Sequence, residues 1–541
     1  MCAGAEPRWV LQLTWAFVGI GIFLRLARYA LNFPFWCDES FLAANLINHS
    51  YRELLGPLDF LQVCPVLFLW IEHSIIKLLG FSELSLRLFP LLCGVASVPL
   101  FYYAASRVVR GVHLLLAVGI FAVSVHPIRL AAEVKPYASD LVVALGMLAL
   151  ALDWLRARAR TSRLWGLAIV APLAMALSFP AIFVAGGITA GLALPVWKTR
   201  SWRAALPFLI FNLAAAGTFA IVFFASVGAH NTPLLLYMRD YWAAWFPPLG
   251  DPLELVRWLV AAHTGKMFAY PREEPVLCGL TFLLFTVAVV ALWRSRQRAV
   301  LLTILVPFLL ALFAAALKRY PYGGEARLMQ FVAPSICIMA GLGAATLLQL
   351  MPRPEARLRA VRVLALLAIA TAVIMVKHDI ARPYRFIHDL RAREFAESFW
   401  PRQARVAELA CLRWDVGITG HAGANAWAPY LCYQRIHSPQ RWASAPRQSA
   451  VSVSRPLRYM VYAPGSGGEP ELAAWLAVMT SRFGLRRQEQ IDINMGRADT
   501  KRNTVRLLIY EFTPKGNWDP SIELRSDVPI WVSLARANLP R

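Results

Sequence analysis

Long apolar runs separated by short polar stretches fill the chain as far as Lys377, and no run of that kind follows. An α-helix needs about 20 apolar residues to cross a hydrocarbon core of roughly 30 Å. Eleven runs meet or approach that length, at about 9–31, 85–106, 113–130, 136–154, 164–179, 180–197, 204–227, 276–293, 299–317, 328–350 and 360–377. The runs 164–179 and 180–197 abut at Phe179-Pro180, which predicts a tight turn there. A further run, 62–80, contains Glu72, His73 and Lys77, which are expensive in lipid. Beyond Lys377 the pattern changes. Arg458–Ala463 and Val505–Phe512 have strand character, and Glu469–Phe483 has helical apolar spacing through Leu472, Trp475, Leu476 and Met479. The expected organisation is a membrane domain at 1–377 and a soluble α/β domain at 378–541.

Whether 62–80 crosses the membrane decides the orientation of everything after it, and charge resolves the choice. The chain has 55 Lys+Arg against 32 Asp+Glu, a net charge of +23, with 58% hydrophobic residues. Soluble domains hold roughly 45–50% apolar residues, so a water-soluble enzyme is excluded. A disordered polycation needs low hydrophobicity, and nucleic-acid binding would leave the apolar content unexplained. Basic residues in short loops follow the positive-inside rule. With 62–80 lying in the interface and the N-terminus cytoplasmic, five inside loops hold Arg107 and Arg110; Arg156, Arg158, Arg160 and Arg163; Lys198, Arg200 and Arg203; Arg294, Arg296 and Arg298; and Arg353, Arg357, Arg359 and Arg362. If 62–80 crossed, all of them would lie outside. The expected topology is therefore eleven spans, with residues 378–541 on the exterior or periplasmic side. The first run holds Arg25 and Arg28 and is followed by no A-x-A site, so it is expected to be a span rather than a cleaved signal.

Ionisable residues gather at the exterior ends of the spans. Asp38 and Glu39 follow the first span directly. A carboxylate at the membrane surface suits a general base acting on a hydroxyl, and Asp38 equally suits a helix N-cap before Phe41. Between His126 and Asp140 stand Arg129, Glu133, Lys135 and Tyr137. They suit either an anion site or local Arg129–Glu133 pairing on a helix. Lys318, Arg319 and Arg327 flank Gly323-Gly324 before a late span. Arg327 either snorkels or clamps a phosphate with its planar fork. Tyr237, Tyr241, Trp242, Trp245, Phe246 and Trp258 fit an interfacial aromatic belt or a sugar-stacking surface. Cys411 with Cys432, and Cys37 with Cys64, are candidate pairs on the exterior side, where disulfides are permitted. No CxxC spacing points to structural zinc, while two adjacent acids leave a divalent ion open.

Several of these segments resemble the GT-C glycosyltransferases, closest to the bacterial aminoarabinose-lipid A transferases and the protein O-mannosyltransferases. Trp36–Ser40 resembles their W-x-D-E segment, and Gly80–Pro90 resembles their G-x-s-e-x-x-x-R-x-x-p segment. His126-Pro127 with Glu133 and Lys135-Pro136-Tyr137 is similar to their second exterior loop, and Arg327 to the Arg that opens a late span. The resemblance covers about residues 9–350. It implies a polyprenyl-phosphate sugar donor and transfer to a hydroxyl on the exterior face of the inner membrane, usually with inversion. The acceptor is a lipid, a glycan or a protein. The resemblance also implies Asp38 as base with Glu39 beside it, Arg327 on the donor phosphate helped by Lys318 or Arg319, and Arg129, Glu133, Lys135 and Tyr137 lining the second loop. Two departures stand out. The aminoarabinose transferases carry a Lys just before the proline that opens the interfacial helix, where this chain has Gln62-Val63-Cys64-Pro65. The aromatic that usually follows the late Arg is Leu328 here. The alternative, a transporter of a lipid-linked sugar, needs ionisable residues near the bilayer midplane, and here they sit at loops and span ends.

Overall fold

The computed structural model describes residues 7–58, 62–158, 160–224 and 239–403, and beyond them four strands and short pieces of chain. Among the described residues, nine helices are long and apolar enough to cross a membrane. They are α1 (Arg8–Ala30), α4 (Glu83–Val108), α7 (Tyr137–Arg156), α9 (Ala181–Thr199), α10 (Trp202–Val222), α12 (Pro275–Arg294), α13 (Arg298–Ala316), α14 (Ala333–Gln349, preceded by the 3-10 turn Gln330–Val332) and α15 (Pro354–Ala381). Two shorter apolar helices, α5 (Gly111–Ala122) and α8 (Ser162–Leu177), complete the alternation between the two ends of the bundle. Outside that alternation lie α2 (Cys37–Asn48), α3 (Val66–Leu79), α6 (Val125–Leu130), α11 (Pro252–Thr264) and α16 (Ile387–Gln403). The chain is a polytopic helical membrane protein.

The helix α3 does not cross. Its entry and its exit lie at the same end of the bundle. Before it, Gln62 accepts a hydrogen bond from Lys135 at 2.6 Å. After it, Glu83 accepts one from Asn32 at 3.2 Å. All five arginine-rich turns then fall at the opposite end.

Two predicted spans are redrawn. The run 113–130 is not one helix. Its helix stops at Ala122, and α6 starts afresh at Val125, whose N–H donates to the Pro271 carbonyl at 3.0 Å. The shortened α5 is buried at Leu114–Gly119, Phe121 and Ala122, so protein rather than lipid surrounds it. The last span is longer than 360–377, since α15 takes in Arg357, Arg359 and Arg362 in its first turns and runs on to Ala381. The turn at Phe179-Pro180 lies between α8 and α9, as expected. The most enclosed spans are α7 and Gln330–Gln349, and the least enclosed are α10 and α15. First and last spans are joined by Arg28 and Asp379 at 2.6 Å.

Beyond α16 lie β1 (Leu409–Leu412), β2 (Leu457–Ala463), β3 (Phe483–Asn494) and β4 (Thr504–Pro514), ordered β1-β2-β4-β3. β1 and β2 are parallel, and the other two pairs are antiparallel. The strands foreseen at 458–463 and 505–512 are β2 and β4. β3 was not foreseen. The loop 464–468, the tail 515–541 and much of the helix foreseen at 469–483 lie outside the described residues.

Candidate active site

The polypeptide turns sharply after α1, and Phe33-Pro34-Phe35-Trp36 leads into α2. Glu39, at the third position of that helix, reaches back to accept from the Trp36 N–H at 3.3 Å, the acidic half of a capping box. The helix cap is thus the work of Glu39, which leaves the Asp38 side chain free on the outer side of the first turn. Glu39 faces inward. It is buried and meets Arg87 of α4 through two bonds of 2.8 and 2.7 Å, and its Oε1 also accepts from the Val134 N–H at 2.9 Å. The two adjacent carboxylates therefore diverge and do not form a chelating pair. Among the described residues no cluster of three or more His, Cys, Asp or Glu side chains is placed to hold a metal ion.

Asp38 meets Arg327, whose Nη1 donates to its Oδ2. The Asp38 side chain keeps a quarter of its surface exposed, while Arg327 is nearly enclosed. The Arg327 guanidinium stands 5.4 Å from the Trp36 ring centroid and 5.7 Å from that of Trp242. Glu325 lies 4.0 Å from its Nε and is itself bonded to Lys266 at 3.0 Å. Arg327 does not open a membrane helix. It sits in the turn before Gln330–Val332. That turn is pinned to the loop carrying Trp245, because the Tyr322 N–H donates to the Trp245 carbonyl at 3.0 Å and Gly324 packs so closely on the Trp245 ring that a Cβ would overlap it. Of the belt residues, Trp242 and Trp245 thus serve the turn that carries Arg327, and Tyr237 lies outside the described residues.

The second loop closes the other side. Arg129 and Glu133 pair at 3.1 Å, the local contact foreseen, and Glu133 also receives Arg385 at 3.4 Å. Lys135 is buried, and its Nζ donates to Gln62. Tyr137 is close enough to Arg327 to act on its charge. Lys318 and Arg319 are exposed, and Lys318 takes a positive φ of 53° where the chain leaves α13. No described contact links either of them to Arg327. The cations that act on Asp38 are Lys135, Arg327 and Arg385.

Electrostatics follow from this crowding. Burial alone would raise the Asp38 carboxyl, but Lys135, Arg327 and Arg385 outweigh it and hold the group below the usual carboxylate value. Burial works against the charge on Arg327, yet Tyr137, Asp38, Glu325 and Glu133 keep its pKa above the ordinary value. Burial, with Arg129, Lys266 and Arg385 nearby, pushes His126 well below its usual value.

Arg385 is the residue that sequence reasoning missed. It lies past α15, within the stretch assigned to the soluble domain, and its guanidinium stands 3.6 Å from the Trp36 centroid. The same stretch is fastened around the first loop. Arg393 bonds the Asn32 carbonyl at 2.8 Å and pairs with Glu83. Tyr433 accepts from the Phe35 N–H at 3.0 Å and donates to Glu83 at 2.9 Å. Cys37, Cys64 and Cys432 are free thiols, so neither candidate disulfide is formed, and Cys432 instead lies 3.6 Å from the Ser40 carbonyl.

No family model matches the sequence, and no curated protein does. Solved structures do match. ArnT from Cupriavidus metallidurans in the apo state aligns with a TM-score of 0.52 at 12% identity, over 92% of this chain and 97% of that one. The fold is that of the GT-C membrane glycosyltransferases. ArnT bound to undecaprenyl phosphate aligns with a TM-score of 0.49 at 12% identity, over 92% of this chain and 98% of that one. The apo oligosaccharyltransferase of Archaeoglobus fulgidus aligns at 0.45 and 11%, over 93% and 76%.

Proposed function

We propose that the chain is an integral-membrane glycosyltransferase that moves a sugar from a polyprenyl-phosphate carrier to a hydroxyl acceptor, with inversion. The reaction is placed at the exterior face of the inner membrane, with residues 378–541 on that side. The acceptor is a lipid, glycan or protein hydroxyl. The observation that carries this reading is the pair Asp38–Arg327, set in an excess of positive charge where the loops meet the bundle. Among the described residues, Lys135, Lys266, Arg129, Arg327 and Arg385 stand against Asp38, Glu133 and Glu325, with Asp389 also near Arg385. The fold adds support by analogy, since ArnT is a glycosyltransferase.

In this mechanism Asp38 accepts the acceptor's proton as the hydroxyl oxygen bonds to the anomeric carbon. The bond from that carbon to the phosphate oxygen breaks, and its electron pair stays on the phosphate. The carrier changes from a diester with one negative charge to a monoester that approaches two. Arg327 and its neighbouring cations therefore stabilise the transition state more than the ground state. An anion on Arg327 also cancels part of the field that holds Asp38 down, so the base gains proton affinity when donor is bound.

The test is sugar transfer by purified protein in lipid nanodiscs, supplied with a panel of undecaprenyl-phosphate sugars and envelope lipid acceptors. Asp38→Asn should lower turnover by about 10²–10⁴, the usual contribution of a general base. Arg327→Ala should lower it by about 10²–10³. Wild-type turnover in both folded variants would sink the assignment. Mass spectrometry of envelope lipids and glycans from a deletion strain would identify the sugar and the acceptor together.

A further inference from the structure

The mechanism above assigns no bond to Arg385. Its guanidinium lies over Trp36, and Arg327 stands over the same ring from 5.4 Å. One indole, next but one before Asp38, thus carries two guanidiniums. Stacking fixes the plane of an arginine and leaves its N–H edge free to meet planar or tetrahedral oxyanions. Glu133 does not use up that edge. It is already held by Arg129, and its 3.4 Å contact with Arg385 is long beside the about 2.7–2.9 Å of a charge-assisted bond. The Arg385 side chain keeps 22% of its surface exposed, more than the 9% of Arg327, so it is the more reachable of the two.

We propose that Arg385 is a second phosphate-binding residue, which closes on the carrier's phosphate together with Arg327. The proposal rests on the donor reading above and adds a residue from beyond the last span to the site. Two forks on one phosphate can bond separate oxygens, and Trp36 sets the spacing between them. Because Trp36 also begins the helix that carries Asp38, the same ring aligns phosphate and base.

The test measures binding to the full-length protein in nanodiscs. The probes are undecaprenyl phosphate and undecaprenol, which share a tail and differ in the charged group. Wild type should prefer the phosphate. Arg385→Gln keeps polar contacts with Glu133 but removes the charge, and should cost about tenfold or more of that preference, with undecaprenol binding unchanged. Arg385→Lys should recover part of it, since charge returns without the planar fork. If Arg385→Gln and Arg385→Lys both bind undecaprenyl phosphate as wild type does, while Arg327→Gln loses the preference, Arg385 is only a partner of Glu133 and the proposal is overturned with the donor reading intact. If wild type does not distinguish phosphate from alcohol, the donor reading and this proposal fall together.

Discussion

Glu39 and Arg87 form a two-pronged ion pair closed off from solvent, with each side chain 2% exposed. Arg87 also donates to the Phe33 and Pro34 carbonyls, so it binds both arms of the turn that ends in Asp38. Removing one partner strands a buried charge, which costs about 3–5 kcal/mol. Glu39→Ala and Arg87→Ala are each expected to lower the unfolding temperature sharply in detergent, with loss of turnover because Asp38 shifts. The double variant Glu39→Met/Arg87→Met should regain most of the lost stability, as an apolar pair of similar size often does. A double-mutant cycle on thermal unfolding measures the coupling.

Tyr433 is buried beneath the first loop, with one hydroxyl serving Phe35 and Glu83. Tyr433→Phe keeps the ring and removes both bonds, leaving a buried N–H and a buried carboxylate oxygen short of a partner. A loss of about 1–3 kcal/mol is expected for each unsatisfied group. Limited proteolysis near residue 404 should then speed up relative to wild type, because the chain after α16 loses a tie to the bundle. Unchanged cleavage would argue against that tie.

Asp389 gives a pH dependence with a defined sign. Burial, with Glu39 nearby, raises its pKa to about 8, although the Phe386 N–H and the arginines 385 and 87 pull the other way. Its unfolded value is about 3.9, so the folded protein holds a proton that the unfolded chain releases. Stability from this group is therefore present at low pH and lost as pH rises from about 4 to about 8. Asp389→Asn keeps an acceptor for Phe386 and cannot ionise. It should be more stable than wild type at pH 8, with a flatter stability profile. Equal slopes for the two proteins in thermal unfolding between pH 5 and pH 8 would remove the effect.

Helix packing in the bundle depends on Gly343. A methyl group there would overlap the Leu284 carbonyl, where α14 crosses α12. Small residues at such crossings let backbones approach closely. Gly343→Ala should cost about 1–3 kcal/mol by overpacking and lower the yield of folded protein. Gly217 of α10 has nothing within 4 Å of a built Cβ, so Gly217→Ala serves as the neutral comparison in the same thermal assay.

Hydrophobic run length and the placement of arginines were enough to anticipate the nine long apolar helices, the two shorter ones and the separate helix α3 among the described residues, because both reflect the cost of charge in lipid. The break at Val123-Ser124 was not read from the sequence, although Ser124, His126 and Pro127 mark it, since its backbone partner, Pro271, is remote along the chain. Asp38, Glu133, Lys135 and Arg327 were legible as ionisable residues at span ends. The distinct burial of Glu39 was not, because adjacent residues on a helix point about 100° apart and nothing local says which one faces Arg87. Lys318 and Arg319 were suggested by proximity along the chain, yet the turn after α13 leads them into solvent. Arg385 belongs to no motif. The only sequence signal was an arginine flanked by Tyr384 and Phe386 just past a span.

The partners in this site are made in an order with consequences for biogenesis. Asp38 leaves the ribosome early. Arg327 lies 289 residues further on, and Tyr433 lies 398 residues beyond Phe35. A nascent chain thus displays the acidic turn long before either guanidinium that flanks Trp36 exists. On the reading proposed above, the pair of guanidiniums at Trp36 is complete only after the final membrane helix has been threaded. A product truncated before Arg385, however well inserted, would lack one of the two guanidiniums that flank Trp36.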